Sequence, residues 1–204
     1  MTKSFPICLL NADGGHFPIV CIGGSAGGTE SYVEILKHLA VDTGVAIVIV
    51  NHITRTPSKL DKFLSRYTSM PVEQVTSGLR IKPNHVFIIP SNRDLHVLDG
   101  VFSLQSRSKL SGWPNVITVF LRSLSHHWSG TIIAVIVSGL DADGAAALKE
   151  VKDVGGITIA QIPDDAEWSD MPESAIKTGY VDYVLSLEAI AHKISQIANE
   201  DANK

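Results

Sequence analysis

The stretch Phe17-Pro18-Ile19-Val20-Cys21-Ile22-Gly23-Gly24-Ser25-Ala26-Gly27-Gly28-Thr29 constrains this 204-residue chain more than any other. A short apolar run of strand character stops at glycines, and one serine stands among them. A helical pattern follows, with Tyr32, Val33, Leu36 and Leu39 on one face. A strand that turns sharply into a helix needs residues that tolerate a tight bend, which glycine supplies. Gly23-x-Ser25-x-Gly27 fits the strand–turn–helix elbow that lifts a serine hydroxyl above the edge of a sheet. The helix start behind it offers free N–H groups and a positive dipole end, suited to an oxyanion or to a phosphate.

The rest of the chain repeats the alternation. Strand Ile19–Ile22 leads to helix Glu30–Leu39, and strand Ala46–Val50 to helix Lys59–Tyr67. Shorter β-type segments follow at Val72–Val75, His85–Ile89 and Leu95–Val97. Asp99-Gly100 is a hairpin turn signal, with Val101–Leu104 as the returning strand. Helix Ile117–His127, strand Ile132–Val137, helix Ala145–Val154, strand Ile157–Gln161 and helix Leu187–Ala198 complete the pattern. This predicts a three-layer, doubly wound α/β fold, its sheet mostly parallel, with an antiparallel hairpin insertion. One domain over residues 17–198 is expected. Residues 1–16 read as an N-terminal arm or linker remnant, and 199–204 as a polar, frayed tail.

Composition narrows the function classes. At 45% hydrophobic and 19% charged residues the chain is ordinary globular sequence. A net charge of −4 without a basic block gives no footprint for nucleic acid. The apolar runs Val45–Val50 and Ile132–Val137 are too short to span a bilayer, so no membrane insertion and a cytoplasmic location are expected. Cys8 and Cys21 are the only cysteines, and Cys21 within a strand reads as a buried, inert thiol.

In open parallel sheets, chemistry collects beyond the carboxyl ends of the strands. Ser25 follows the first strand, Asn51-His52 the second, and Ser138-Gly139-Leu140-Asp141-Ala142-Asp143-Gly144 the strand Ile132–Val137. A serine, a histidine and a carboxylate on one edge can act as nucleophile, base and orienting anion. Taken singly, each has a plain structural role: a small turn residue, a strand-end histidine, a helix-capping aspartate. Their joint placement after three strands favours hydrolysis. A dinucleotide site is disfavoured because Ala26 stands where the second glycine of the fingerprint belongs, and Asn51-His52 where an acid would hold a ribose. There is no G-K-S/T for a P-loop. The order Ser…His…Asp also departs from that of the α/β-hydrolase fold. His16, His85, His96, His126 and His127 show no spacing for a metal site. Asp164-Asp165-Ala166-Glu167 reads as a solvated loop bordering the same edge, and Trp168 beside it as a candidate cleft residue.

These blocks resemble the chemotaxis receptor methylesterases, the CheB-type protein-glutamate methylesterases. Ile22–Thr29 is similar to their I-G-A/G-S-T/A-G-G loop, and Asn51-His52 to their Q-H pair. Arg80–Pro90 resembles their I-x-P-x-x-V/A-Y-I/V-A-P segment, and Ser138–Ala145 their T/S-G-M-G-x-D-G-A loop. Gly155-Gly156 with Ile159–Gln161, then Met171-Pro172 with Ala175-Ile176, resemble the later blocks. The resemblance runs from about Phe17 to about Ile194. It implies hydrolysis of glutamate γ-methyl esters on the cytoplasmic helices of chemoreceptors, without metal or organic cofactor. Receptor glutamine is a further candidate substrate. Ser25 would be the nucleophile, His52 the base and Asp143 the orienting carboxylate, with the backbone amides of Ala26 and Leu140 near the oxyanion. Asp141 stands where the family has glycine, so the resemblance gives its side chain no role.

The chain departs from the family pattern at Gly112-Trp113, where a basic residue is usual, at Ile117 in place of an aspartate, and at Glu173 in place of an arginine. These departures motivate an alternative, a catalytically weak docking module for receptors or kinases on the same fold. The sequence holds no phosphoacceptor receiver domain. A bare catalytic domain or a stand-alone relative is therefore expected, with a receiver domain or other chemotaxis signalling proteins as candidate partners.

Overall fold

In the computed structural model, residues 17–52, 59–108 and 114–203 are described. The expectations for the arm at 1–16, for Cys8 and for Gly112-Trp113 lie outside them. Strand β1 (Ile19–Gly24) is buried along its whole length, as a central parallel strand must be. Its side chains alternate between two cores. Ile19 and Cys21 point into one and Val20 and Ile22 into the other, and β2 (Ala46–Asn51) and β7 (Ile132–Ile136) divide the same way.

With β3 (Val72–Gln74), β4 (His85–Ile88), β8 (Ile157–Gln161) and β9 (Tyr183–Leu185), these strands form one seven-stranded sheet. Its order is β3-β4-β2-β1-β7-β8-β9. Every neighbouring pair is parallel. Helices α1 (Gly28–Lys37), α2 (Leu60–Leu64) and α6 (Leu187–Ala202) supply one core. Helices α3 (Val116–His127), α4 (Leu148–Asp153) and α5 (Asp170–Lys177) supply the other. Chain progression reverses at β1: it moves outward through β2 and β4 on one side and through β7, β8 and β9 on the other. Right-handed crossovers then place the two sets of helices on opposite faces. The three-layer, doubly wound fold expected from the sequence is the one observed.

The hairpin of β5 (Arg93–Leu98) and β6 (Val101–Ser106) turns at Asp99-Gly100, both at positive φ, and forms its own two-stranded antiparallel sheet. It docks on α3, where Ser123 Oγ accepts from Val97 N at 2.8 Å, and Phe102 meets Phe87 edge-on at 5.0 Å.

Three details differ from the sequence reading. Helix α2 closes after Leu64 into i→i+3 turns at Arg66 and Tyr67, so the expected helix to Tyr67 is cut short. The helix expected from Ala145 starts as a 3₁₀ turn, Ala145–Ala147, before α4 begins. Residues 199–202, expected to fray, are the last turn of α6, where Thr131 donates to Asp201 Oδ1 at 2.7 Å. Helix α5 and strand β9 were not anticipated. Pro172 obscures α5, yet it lies in the first turn, where its missing N–H has no intrahelical partner to lose.

Candidate active site

The elbow is built as its glycines require. Residue Gly27 has φ +72°, in the left-handed region, and α1 begins at the next residue. A Cβ on Gly23 would come within 2.6 Å of Ile117 Cγ2, and one on Gly24 within 2.6 Å of the Tyr32 hydroxyl. Close packing of α3 and α1 against the strand end therefore demands glycine at both. Ser25 N donates to Ser138 O at 2.9 Å, which ties the elbow to the end of β7.

Two buried polar side chains, Ser138 and Gln161, tie the loops beneath this edge together. Ser138, fully buried, donates from Oγ to Ala26 O at 2.8 Å, and Ser138 Oγ accepts from Trp168 N at 3.0 Å. Gln161, at the end of β8, accepts at Oε1 from Ser138 N and from Ser31 Oγ, and donates from Nε2 to Asp165 O. One buried amide thus joins α1, β7 and the β8–α5 loop. Its sequence signal is a long polar residue closing the strand run Ile157–Ala160. The acidic loop runs alongside: a Cβ on Gly27 would meet Glu167 Cβ at 2.8 Å, while Trp168 itself is exposed.

His52 follows β2 and is buried. Its Nε2 lies 2.8 Å from Asp143 Oδ2. Its Nδ1 lies 3.0 Å from Asp141 Oδ2, a charge contact without the alignment of a good hydrogen bond. Both ring nitrogens thus face carboxylates, and among the described residues no hydrogen bond joins the ring to the Ser25 hydroxyl. Burial alone would lower the His52 pKa, but Asp141 and Asp143 reverse this and raise it to about 9.

Asp143 is held from several sides. Its Oδ2 also accepts from Ile117 N at 2.8 Å, and its Oδ1 accepts from Thr118 N at 2.9 Å and from Gly144 N at 2.8 Å. Ile117 and Thr118 open α3, whose N-cap Asn115 makes no side-chain cap. The carboxylate therefore caps α3 from a distant loop, at the positive end of the helix. Burial pushes the Asp143 pKa up, and the bonds from His52, Thr118 and Ile117 outweigh it and hold the group below its ordinary value.

Asp141, two residues earlier, accepts at Oδ1 from Asp143 N at 2.8 Å, an Asx-type turn that fixes the loop. Sequence reasoning gave it no role, and no local pattern announces one, because its contact is with a side chain some ninety positions away. Beside these aspartates opens a cleft of about 310 Å³, lined by Pro114, Asn115, Thr118, Arg122 and Ala146.

The remaining expected residues fall as follows. Ala26 lies in the elbow and Leu140 on the facing loop, and among the described residues neither backbone amide donates to a protein acceptor. Ile117 is a core residue packed on Gly23 and Gly144, and Glu173 pairs on the surface with Lys177 at 3.1 Å. Cys21 is a buried free thiol, its pKa raised by burial and by the charge of Asp143. His85 and His126 bond backbone carbonyls of Pro83 and Arg122.

Fold and site define a doubly wound α/β domain with a buried histidine between two carboxylates where the strand order reverses, and with Ser25 in the turn that follows β1. Residues 20–194 match the family model of the CheB methylesterase, and the chain belongs to that family. It is 34% identical over 178 residues to a Leptospira interrogans protein with the provisional name protein-glutamate methylesterase/protein-glutamine glutaminase, covering 86% of this chain and 92% of that one. It is 30% identical over 189 residues to protein-glutamate methylesterase/protein-glutamine glutaminase 2 of Burkholderia pseudomallei, covering 92% of this chain but 55% of that longer protein. The crystal structure of the Thermotoga maritima CheB methylesterase catalytic domain superposes with a TM-score of 0.81 at 31% identity, covering 88% of this chain and 97% of that one. No helix among the described residues is long and apolar enough to cross a membrane.

Proposed function

We propose that this chain hydrolyses glutamate γ-methyl esters on the cytoplasmic helices of chemoreceptors, acting in the cytoplasm. The observation that carries the reading is His52 Nε2 at 2.8 Å from Asp143, with Ser25 following β1, the strand between those that lead to His52 and to the Asp143 loop. Ser25 Oγ bonds to the ester carbonyl carbon while its proton passes to His52. The developing oxyanion is met by the amides of Ala26 and Leu140. His52 then protonates the departing methoxide, and methanol leaves an acyl-enzyme. Water attacks that ester, its proton goes to His52, and Ser25 recovers a proton as glutamate is freed. Asp143 orients the ring and stabilises the imidazolium.

A second reading, deamidation of receptor glutamine, is favoured by the double names of the relatives, and the same attack on an amide would release ammonia. The test is methanol release from a methylated receptor fragment, with ammonia release from the glutamine form measured in parallel. Ser25→Ala should lower the rate by at least about 10³-fold while the protein stays folded, since the turn depends on its glycines. Methanol release at the parental rate in that variant refutes the covalent mechanism. Binding of the fragment without turnover by the parent protein refutes hydrolysis in favour of a docking module.

A further inference from the structure

The geometry points to Asp141 as a positioning residue that holds His52 through Nδ1, so that the ring must leave this carboxylate before Ser25 can use it as a base. The inference rests on the reading of Ser25 and His52 as nucleophile and base. An imidazole offers two in-plane nitrogens, and a serine hydrolase needs one for the orienting carboxylate and one for the hydroxyl. Here Asp143 lies on Nε2 at 2.8 Å and Asp141 on Nδ1 at 3.0 Å, while the ring is buried. A ring held between two carboxylates favours the imidazolium, and an imidazolium cannot accept the Ser25 proton.

The two carboxylates are not equivalent. Asp143, although it borders the same cleft, is 2% exposed and fastened by Ile117, Thr118 and Gly144. Asp141 is 12% exposed and faces the open cleft, with only the Asp143 amide holding its other oxygen. Of the two, Asp141 is the one free to turn away. Among the described residues, few other charges face the ring. From β1 comes the buried Cys21 thiol, near Asp143. From α3 come the helix N-terminus, acting through Asp143, and Arg122 on the cleft lining, paired with Glu150 at 2.8 Å. From the β8–α5 loop, Glu167 lies against Gly27 in the elbow.

With the His52 pKa raised to about 9, only a small fraction of the rings is neutral at pH 7. Releasing one of its two anionic partners raises that fraction at least about tenfold if the pKa falls by a unit. Asp141→Asn keeps an oxygen for the Asp143 amide and removes the charge from Nδ1, so the loop turn is retained while the restraint is relieved.

The experiment titrates the imidazole nitrogens of the full chain by long-range ¹H–¹⁵N NMR, with His52→Gln assigning the signal, and records kcat/KM against pH for a p-nitrophenyl ester. In Asp141→Asn the His52 midpoint should fall by at least about one pH unit, and kcat/KM at pH 7 should rise about tenfold, the gain vanishing above pH 9. Asp141→Glu, which keeps the charge, should retain most of the raised midpoint and checks that the loop survives substitution. An unchanged midpoint in Asp141→Asn overturns the inference, as does a fall in kcat/KM of equal size at every pH. A midpoint that moves while no protein shows His52-dependent ester hydrolysis supports the restraint and refutes the hydrolase reading, so the two failures are distinguishable.

Discussion

Replacing Asp143 with asparagine should damage stability and catalysis together, because one carboxylate serves both. Its two oxygens accept four donors: His52 Nε2, Ile117 N, Thr118 N and Gly144 N. Asparagine keeps one oxygen and turns an NH₂ toward donors, so at least one buried N–H loses its partner at a cost of about 1–3 kcal/mol. Removing the negative charge from the start of α3 costs a further ~0.3–1 kcal/mol. The expected loss is about 1–4 kcal/mol, or roughly 3–15 °C in Tm for a chain of this size. Asp143 has a lowered pKa, so its contribution is complete above the ordinary carboxylate value and fades as pH falls through the folded one. Measurement at pH 7 therefore samples it in full. Urea unfolding followed by circular dichroism gives the stability. Ester hydrolysis on the folded variant gives the catalytic loss, expected near 10⁴-fold, as for an orienting aspartate elsewhere. A variant whose stability stays within about 0.5 kcal/mol of the parent refutes the capping argument. One that loses stability yet keeps its kcat refutes the orienting role.

Two further predictions concern the same edge. A Cβ on Gly139 would overlap the Met171 sulfur and stand 3.1 Å from Ser25 Cβ, so Gly139→Ala should cost about 1–3 kcal/mol and lower kcat. Met171→Ala added to it should restore part of the activity, and absence of any rescue refutes the steric reading. His52 has a raised pKa, so the stability it contributes is complete below pH ~6.5 and is lost as pH rises through about 9. Unfolding free energies between pH 6 and 10 should therefore decline more steeply for the parent than for His52→Gln, and parallel curves refute the pairing.

Much of this architecture follows from local pattern alone. The run Ile19–Ile22 with its glycine turn marks a buried parallel strand entering a helix, because side-chain alternation and the φ demands of a tight bend are both local. Asp99-Gly100 marks the hairpin for the same reason. Ser25, His52 and Asp143 were legible as strand-end residues once the strands were recognised, since a parallel sheet puts successive carboxyl ends on one edge. Short elements escaped: β9 has three residues, too few for a period, and is defined by its pairing with β8.

What the chain alone determines is therefore the order of strands, turns and helices, and the residue types that arrive at the edge. Which donors those residues meet is decided by packing. Asp143 becomes the cap of α3 only because α3 docks its N-terminus on the β7 loop, and Asp141 reaches His52 Nδ1 only because β2 and β7 flank β1. Local conformation depends on neighbours in sequence. A carboxylate's partners, and through them the charge on His52, depend on neighbours in space, here separated by 91 positions in the His52–Asp143 pair.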